Sequence, residues 1–333
     1  MASLDLQLRD IIMSLRDTMA ALPQQIMVCD YCTTTCLAIV LGVLVLLKWL
    51  RRPPHWDPEN KVILITGASA GIGKELALQA AKAGAILVLM ARREALLKEL
   101  SKACTQAGSP KAVPVVCDVT DRKACAKAVK TAVGKVGAFD VVVLNAGQSQ
   151  GCYFEDIEDL DDAQFLMDLN VMGCVNILHY ALPSLAKRAT SRVVFVSSVA
   201  GLIGVPLRTM YCASKWAVVG LANALRIELA DAHGTNAPKV VVTCPPEVKS
   251  DLNTGRLTFG AGHPAESLPS AQMETTPAVA HLLAGIGAAP RLQHFNAKSS
   301  VLAPLYGFLP GLIDGMVLKM IKKTHDMKGQ GRG

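Results

Sequence analysis

Aromatic residues make up only 5% of this 333-residue chain, and charged residues only 18%. No basic stretch is interleaved with aromatics, so the cationic track and stacking platforms of a nucleic-acid-binding surface are missing. No Asn-x-Ser/Thr sequon occurs, which agrees with a domain on the cytosolic side of a membrane. Internal repeats are absent, which excludes a solenoid. A metal site is not expected: Cys29, Cys32 and Cys36 lie close together but lack a fourth ligand at zinc-finger spacing. No acid stands at the end of the second apolar β-type run, where a site for an unphosphorylated ribose would place one.

What is present is apolar. Hydrophobic residues reach 51% and the net charge is +7, a balance that suits buried parallel strands plus a membrane segment. The ten cysteines are scattered, several inside apolar strand and helix patterns, and read as buried thiols in a reducing compartment. Cys29, Cys32 and Cys36 are also candidates for palmitoylation.

Residues 31–47 carry no charge, a run at the short end of the ~17–25 residues that span a bilayer. Tyr31 and Trp49 sit where interfacial aromatics belong. A cleaved signal peptide fits badly, because a long acid-bearing stretch precedes the run and no small-residue cleavage site follows. Residues 31–50 are therefore expected to be a transmembrane anchor, preceded by an amphipathic segment over 1–30 (Leu4, Leu8, Ile11, Ile12, Leu15, Met19). Lys48, Arg51, Arg52 and Lys61 follow the anchor, while only Arg16 lies close before it. That asymmetry places the remainder in the cytosol.

After a linker over 51–61, residues 62–298 alternate short β-branched runs with helical stretches. Strands are expected at Val62–Ile65, Ile86–Met90, Val113–Val116, Val141–Leu144, Val193–Val196 and Val240–Thr243. Helices are expected at Lys74–Ala83, Glu94–Ala107, Arg122–Val133, Asp161–Lys187 and Tyr211–Ala232. This is an α/β pattern, a Rossmann-type doubly wound parallel sheet. Ser250–Thr276 is rich in Gly, Pro and Ser and reads as a substrate lid. The tail, 299–333, is apolar and basic. Pro304, Pro310 and Asp314 argue against a span, which leaves a membrane-dipping substrate entrance or a helix packed on the body or a dimer partner.

Thr66 to Gly73 reads TGASAGIG and lies between the first strand and the first helix. Gly67, Gly71 and Gly73 permit a tight turn and close approach of a pyrophosphate to the helix N-terminus. The second strand ends in Arg92 and Arg93, whose guanidinium groups suit a 2′-phosphate and favour NADP(H) over NAD. Asp118, after the third strand, can accept from an adenine amine. Asn145, Ala146 and Gly147, after the fourth, offer a second close backbone approach.

Tyr211 and Lys215 stand four apart at a helix start and share a face. A free phenol has a pKa of ~10, and a neighbouring cation stabilises its phenolate, so Tyr211 becomes a proton donor near neutrality. Ser198 ends the fifth strand and can polarise a substrate carbonyl. Asn170, in the preceding helix, can hold a water linking Lys215 to solvent. Ser197 and Ser214 are given no chemical role.

These motifs, over about residues 62–296, resemble the classical short-chain dehydrogenase/reductases. The resemblance implies a Rossmann fold, 4-pro-S hydride transfer between NAD(P)H and a carbonyl or alcohol, and a catalytic tetrad of Asn170, Ser198, Tyr211 and Lys215. It further implies cofactor contacts from Gly67, Ser69, Gly71, Ile72 and Gly73, from Arg92, Arg93 and Asp118, and from Asn145, Ala146 and Gly147. Pro245, Val248 and Ser250 complete that set, with Tyr211 and Lys215 touching the ribose. Two positions depart from the family pattern: Leu144 stands before Asn145 where a second Asn is usual, and Pro246 replaces a Gly, removing a backbone N–H. The anchor, Gln148-Ser149-Gln150 and the apolar tail are similar to the member 7-like and 11-beta-hydroxysteroid dehydrogenase-like branch. That likeness implies steroid, retinoid or fatty ketone substrates, an endoplasmic reticulum membrane and a possible homodimer through the helices carrying Asn170 and Tyr211.

Two rival readings stand beside it. Gly67-Ala68-Ser69-Ala70-Gly71 also fits the G-x-S-x-G nucleophile elbow of a serine hydrolase. A non-catalytic NADP(H)-binding membrane scaffold would keep the glycine motif without turnover.

Overall fold

The computed structural model describes residues 56–249, 257, 259 and 272–327. The segment 1–30, the anchor 31–50, Ser250 and most of the lid stretch lie outside the described residues.

Short runs of Val, Ile and Leu bounded by glycines and turns form seven strands: β1 Val62–Thr66, β2 Ile86–Ala91, β3 Ala112–Val116, β4 Val141–Leu144, β5 Arg192–Val196, β6 Lys239–Cys244 and β7 Leu292–His294. All pair in parallel, in the order β3-β2-β1-β4-β5-β6-β7. Chain order reverses between β1 and β4, and the crevice at the carboxyl ends of those strands is where such sheets bind ligands.

Successive side chains on a strand point to opposite faces, and the core divides accordingly. Leu64, Val88, Val142, Phe195 and Val242 face one way. They are covered by α3 (Arg122–Val136), α5 (Gly173–Leu185) and α6 (Thr209–His233). Ile63, Ile65, Leu87, Val143 and Val241 face the other, under α1 (Gly71–Lys82), α2 (Glu94–Gln106) and α7 (Thr275–Ala288). Strands buried on both faces account for the apolar, β-branched runs of this domain.

Several features differ from the sequence reading, which did not foresee α7. α1 begins at Gly71, inside the glycine motif, rather than at Lys74. The long helix expected from Asp161 is α4 (Leu160–Met167) joined to α5 by a π-turn, Asp168–Met172. Leu160–Leu185 as a whole is long and apolar enough to cross a membrane, but half of its apolar stretch is buried in the domain, so it serves as a core helix. β7 was not foreseen. The tail forms α8 (Ala297–Tyr306) and α9 (Pro310–Met327). Its inner side packs through Ile313, which is buried, and through Tyr306, whose ring lies 6.2 Å from that of Trp216 on α6. Its outer side exposes Val301, Phe308, Leu309, Leu312 and Met316.

Candidate active site

The glycine turn between β1 and α1 is knitted to the end of β4. Thr66, buried at the tip of β1, accepts at Oγ1 from the backbone N–H groups of Asn145 (2.9 Å) and Ala146 (3.0 Å). Asn145 returns its side-chain amide to the Thr66 carbonyl at 2.9 Å. Gly67 has φ +64, and a Cβ there would stand 2.9 Å from the Ala146 Cα. Both the left-handed backbone and the close approach require glycine. Ala70, at the N-cap of α1, offers no side-chain acceptor, and no acid occupies the first turn. The cradle therefore suits an anion in charge and in shape, as a dinucleotide pyrophosphate would require.

Arg92 and Arg93 diverge. Arg93 donates through Nε and Nη2 to Ser69 Oγ at 3.2 and 2.9 Å, drawing its guanidinium over the glycine turn. Arg92, largely exposed, approaches the half-buried Asp118 at Oδ2, 3.8 Å away. The other Asp118 oxygen accepts from Thr120 N–H and Oγ1 at 3.0 and 2.8 Å, which fixes the carboxylate at the edge of the site. The contacts of Ser69 also answer the nucleophile-elbow reading. A serine nucleophile needs a base to take its proton, whereas this hydroxyl accepts hydrogen bonds from a guanidinium that takes none.

On the other side of the switch point lies the tetrad. Tyr211 and Lys215, 8% and 6% exposed, occupy the first two turns of α6. Lys215 Nζ lies 5.6 Å from the centroid of the Tyr211 ring and donates to the Val196 carbonyl at 2.9 Å. An ammonium has three donors, so two remain for ribose hydroxyls. Ser198 Oγ accepts from Ala200 N–H at 3.2 Å and stands 3.5 Å from the Pro245 carbonyl. That second contact is at the outer limit of a hydrogen bond, which leaves the hydroxyl proton free to turn toward a substrate oxygen. Pro245 also accepts from Val199 N–H at 3.1 Å, tying the loop after β6 to the loop after β5. Val248 is buried and bridges to Met273.

Asn170 sits in the π-turn, a local widening frequent at functional sites. Its Oδ1 accepts from Gln148 N–H at 2.8 Å, and its Nδ2 donates to the Gln148 carbonyl and to Ser214 Oγ at 3.0 and 2.9 Å. Ser214 in turn donates to the Tyr211 carbonyl at 2.7 Å. The Asn170 side chain is thus a strut between the Asn-Ala-Gly turn and α6. A Cβ on Gly147 would meet both Asn170 Oδ1 (2.9 Å) and Lys215 Nζ (3.5 Å), so Oδ1 and the ammonium flank one point in space.

Several structural members of the site were not foreseen. Thr66 and Ser214 hold the frame, and Ser197 Oγ ties β5 to the Lys215 carbonyl at 3.1 Å. Gln150 is wholly buried beside Tyr211. Tyr211 belongs to an apolar cluster with buried Cys152, Leu166, Ala200 and Phe259, against which Ile157, Val205, Met210, Cys212 and Leu257 pack. Burial pushes up the thiols below the site, Cys174 to about 11, opposed by the charge of Lys215, and Cys244 to about 12.

Fold and geometry together define a doubly wound parallel α/β domain with a buried Tyr–Lys pair near the carboxyl ends of its strands. The family model described as short chain dehydrogenase matches residues 61–258, and the chain belongs to that family. It is 38% identical over 208 residues to the human (Homo sapiens) dehydrogenase/reductase SDR family member 7, covering 62% of this chain and 60% of that one. It is also 38% identical over 185 residues to 11-beta-hydroxysteroid dehydrogenase-like 4A of Arabidopsis thaliana, covering 55% and 62%. The matches thus span about three fifths of these relatives' lengths.

Among solved structures, a short chain dehydrogenase/reductase from Burkholderia phymatum in complex with NAD aligns with a TM-score of 0.66. It is 24% identical and covers 78% of this chain and 96% of that one. A short chain dehydrogenase from Burkholderia cenocepacia J2315 in complex with NADP aligns with a TM-score of 0.65, 20% identity and coverage of 79% and 99%. At that identity they show the fold alone.

Proposed function

We propose that this chain is an NADP(H)-dependent oxidoreductase that interconverts a carbonyl and an alcohol on an apolar, lipid-like molecule such as a steroid, retinoid or fatty ketone. The observation that carries the reading is the buried Lys215 ammonium, 5.6 Å from the Tyr211 ring centroid, beside the apolar cluster that includes Tyr211. Outside a proton-transfer site, a buried cation with one carbonyl partner is costly.

When bound, the nicotinamide supplies or accepts the hydride. Tyr211 gives its phenolic proton to the carbonyl oxygen as the alcohol forms, and takes one back in the reverse direction. Lys215 steadies the resulting phenolate by its charge and directs its remaining N–H groups to ribose hydroxyls. Ser198 donates to the same substrate oxygen and polarises it. Asn170 holds Gln148 and Ser214 in register, and so the helix that carries Tyr211. Gly67 and the first turn of α1 receive the pyrophosphate, Asp118 the adenine and Asn145–Gly147 the second approach. Arg93 with Ser69, and Arg92 beside them, take the 2′-phosphate. A cofactor pool usually kept reduced then favours net reduction.

The apolar outer side of α8 and α9, with Phe308 83% exposed, supports a membrane-associated tail beside the site. With residues 31–50 as a single-pass anchor, the catalytic domain would face the cytosol from the endoplasmic reticulum. Trp216 and Ile227, exposed on α6, suit a homodimer contact.

The test is NADPH oxidation by detergent-solubilised protein against steroid, retinal and fatty ketone panels, beside Tyr211→Phe. Activity that Tyr211→Phe abolishes supports the reading. NADPH binding without turnover in either protein supports the scaffold instead.

A further inference from the structure

We propose that Gln150 is a positioning residue that caps the catalytic helix from outside and thereby sets Tyr211; the proposal rests on Tyr211 being the proton donor. A helix leaves its first N–H groups without partners, and a side-chain oxygen at the N-cap ordinarily accepts from the second and third of them. At the N-cap of α6 stands Arg208, which has no oxygen to offer and makes no such bond. The acceptor comes instead from 60 residues earlier in the chain. Gln150 Oε1 accepts from Met210 N–H at 2.7 Å and from Tyr211 N–H at 3.3 Å, the second and third positions of the helix.

Three observations show that this carboxamide is held for the purpose. Gln150 is wholly buried, so water does not substitute for it. Its Nε2 donates to the Cys152 carbonyl at 3.3 Å, which fixes which end of the amide faces the helix. Its backbone is clamped on both sides by Leu257, whose N–H donates to the Ser149 carbonyl and whose carbonyl accepts from Gly151 N–H, each at 2.9 Å. The entry to α6 needs such support, because Leu207 adopts φ +65, a left-handed conformation costly for a branched side chain. Gln150 thus joins three parts of the site at one buried point: the strand pairing with Leu257, the extension of the Asn-Ala-Gly turn, and the helix turn bearing the proton donor.

The experiment compares Gln150→Met, which keeps volume and loses both polar ends, with Gln150→Glu, which keeps the acceptor. Ser109→Ala serves as a control that removes a buried hydroxyl bonded to the Ala85 carbonyl at 2.6 Å, remote from the site. Backbone hydrogen exchange at Met210 and Tyr211, NADPH Kd and kcat are measured on the full chain in detergent. In Gln150→Met, exchange protection is lost at those two amides, kcat falls about ten- to a hundred-fold as misplaced reactive groups do, and NADPH Kd moves less than about twofold. Gln150→Glu restores most of kcat, and Ser109→Ala loses stability without losing kcat. Unchanged protection in Gln150→Met overturns the cap, and lost protection with unchanged kcat overturns the positioning role. Activity that survives Tyr211→Phe overturns the reading of the active site itself. Activity lost in Tyr211→Phe but kept in Gln150→Met overturns Gln150 alone.

Discussion

Arg93→Ala separates the brace that this guanidinium provides in the structure from the 2′-phosphate contact proposed for it. Arg93 braces the glycine turn through Ser69 Oγ at 2.9 and 3.2 Å, and under the proposed NADP(H) reading it would also meet the 2′-phosphate. Arg92 shares its charge with Asp118 at 3.8 Å, whereas the hydroxyl that Arg93 contacts is neutral. A hydrogen bond to a charged group contributes ~1.5–3 kcal/mol. Arg93 is exposed, and solvent screening trims this to ~1–2 kcal/mol. At ~1.4 kcal/mol per tenfold, NADPH affinity should fall about 5- to 30-fold. NADH, with a free 2′-hydroxyl, should change by less than about twofold.

The assay is a fluorescence titration of both cofactors at fixed ionic strength, with Ser69→Ala as the variant that removes the brace and keeps the charge. Equal weakening of NADPH and NADH in Arg93→Ala, matched by Ser69→Ala, would show that the guanidinium only shapes the turn. Preference for NADH in the unaltered chain would refute the cofactor assignment outright.

Thr66→Val should leave the partly buried N–H groups of Asn145 and Ala146 without their acceptor, at ~1–3 kcal/mol each. Calorimetry should show Tm lower by about 4–12 °C, with Thr66→Ser near the parent value. Burial pushes Cys104 and Cys174 to about 11 and Cys244 to about 12 from the usual 9.0. Between pH ~9 and those values the native chain holds protons that the unfolded chain has released. Their stabilising contribution is therefore complete below pH ~9 and lost as pH rises toward 11–12. Urea midpoints falling across that window, with slow alkylation of the three thiols at pH 8 by mass spectrometry, are the expected results. Replacing Phe308 and Leu312 together by Asp should weaken binding of the full chain to anionic vesicles at least severalfold while leaving NADPH affinity intact; unchanged vesicle binding would detach the tail from the membrane.

The parts of this molecule that sequence reveals are those whose chemistry is local. TGASAGIG declares itself because the turn, the close approach and the helix start fall within eight residues, and Tyr211 and Lys215 because one helical turn separates them. β1, β2, β4 and β5 are legible as runs of buried β-branched residues. β7 is not: Leu292-Gln293-His294 is three residues long, carries no β-branched side chain and has one buried position. The π-turn at Asp168–Met172 escapes for a different reason, since one widened turn barely alters the apolar period of the helix around it. Arg92 and Arg93 are visible as a pair, but their division of labour depends on where Ser69 and Asp118 lie in space.

The hardest group to read is the support beneath the tetrad. Asn170 reaches Ser214 across 44 residues, Thr66 reaches Asn145 across 79, and Gln150 reaches Met210 across 60. Thr66 and Gln150 are buried polar side chains in which a one-dimensional pattern shows only an ordinary Thr or Gln; the sequence marks Asn170 itself, but not its reach to Ser214. Arg208 left a trace of this arrangement, for a buried helix start that opens on an arginine lacks a cap of its own, whereas the exposed start of α2 on Arg93 is open to water. A helix-start residue unable to cap, just ahead of a predicted catalytic residue, therefore points to a second buried residue that supplies the cap. In this chain that residue is Gln150.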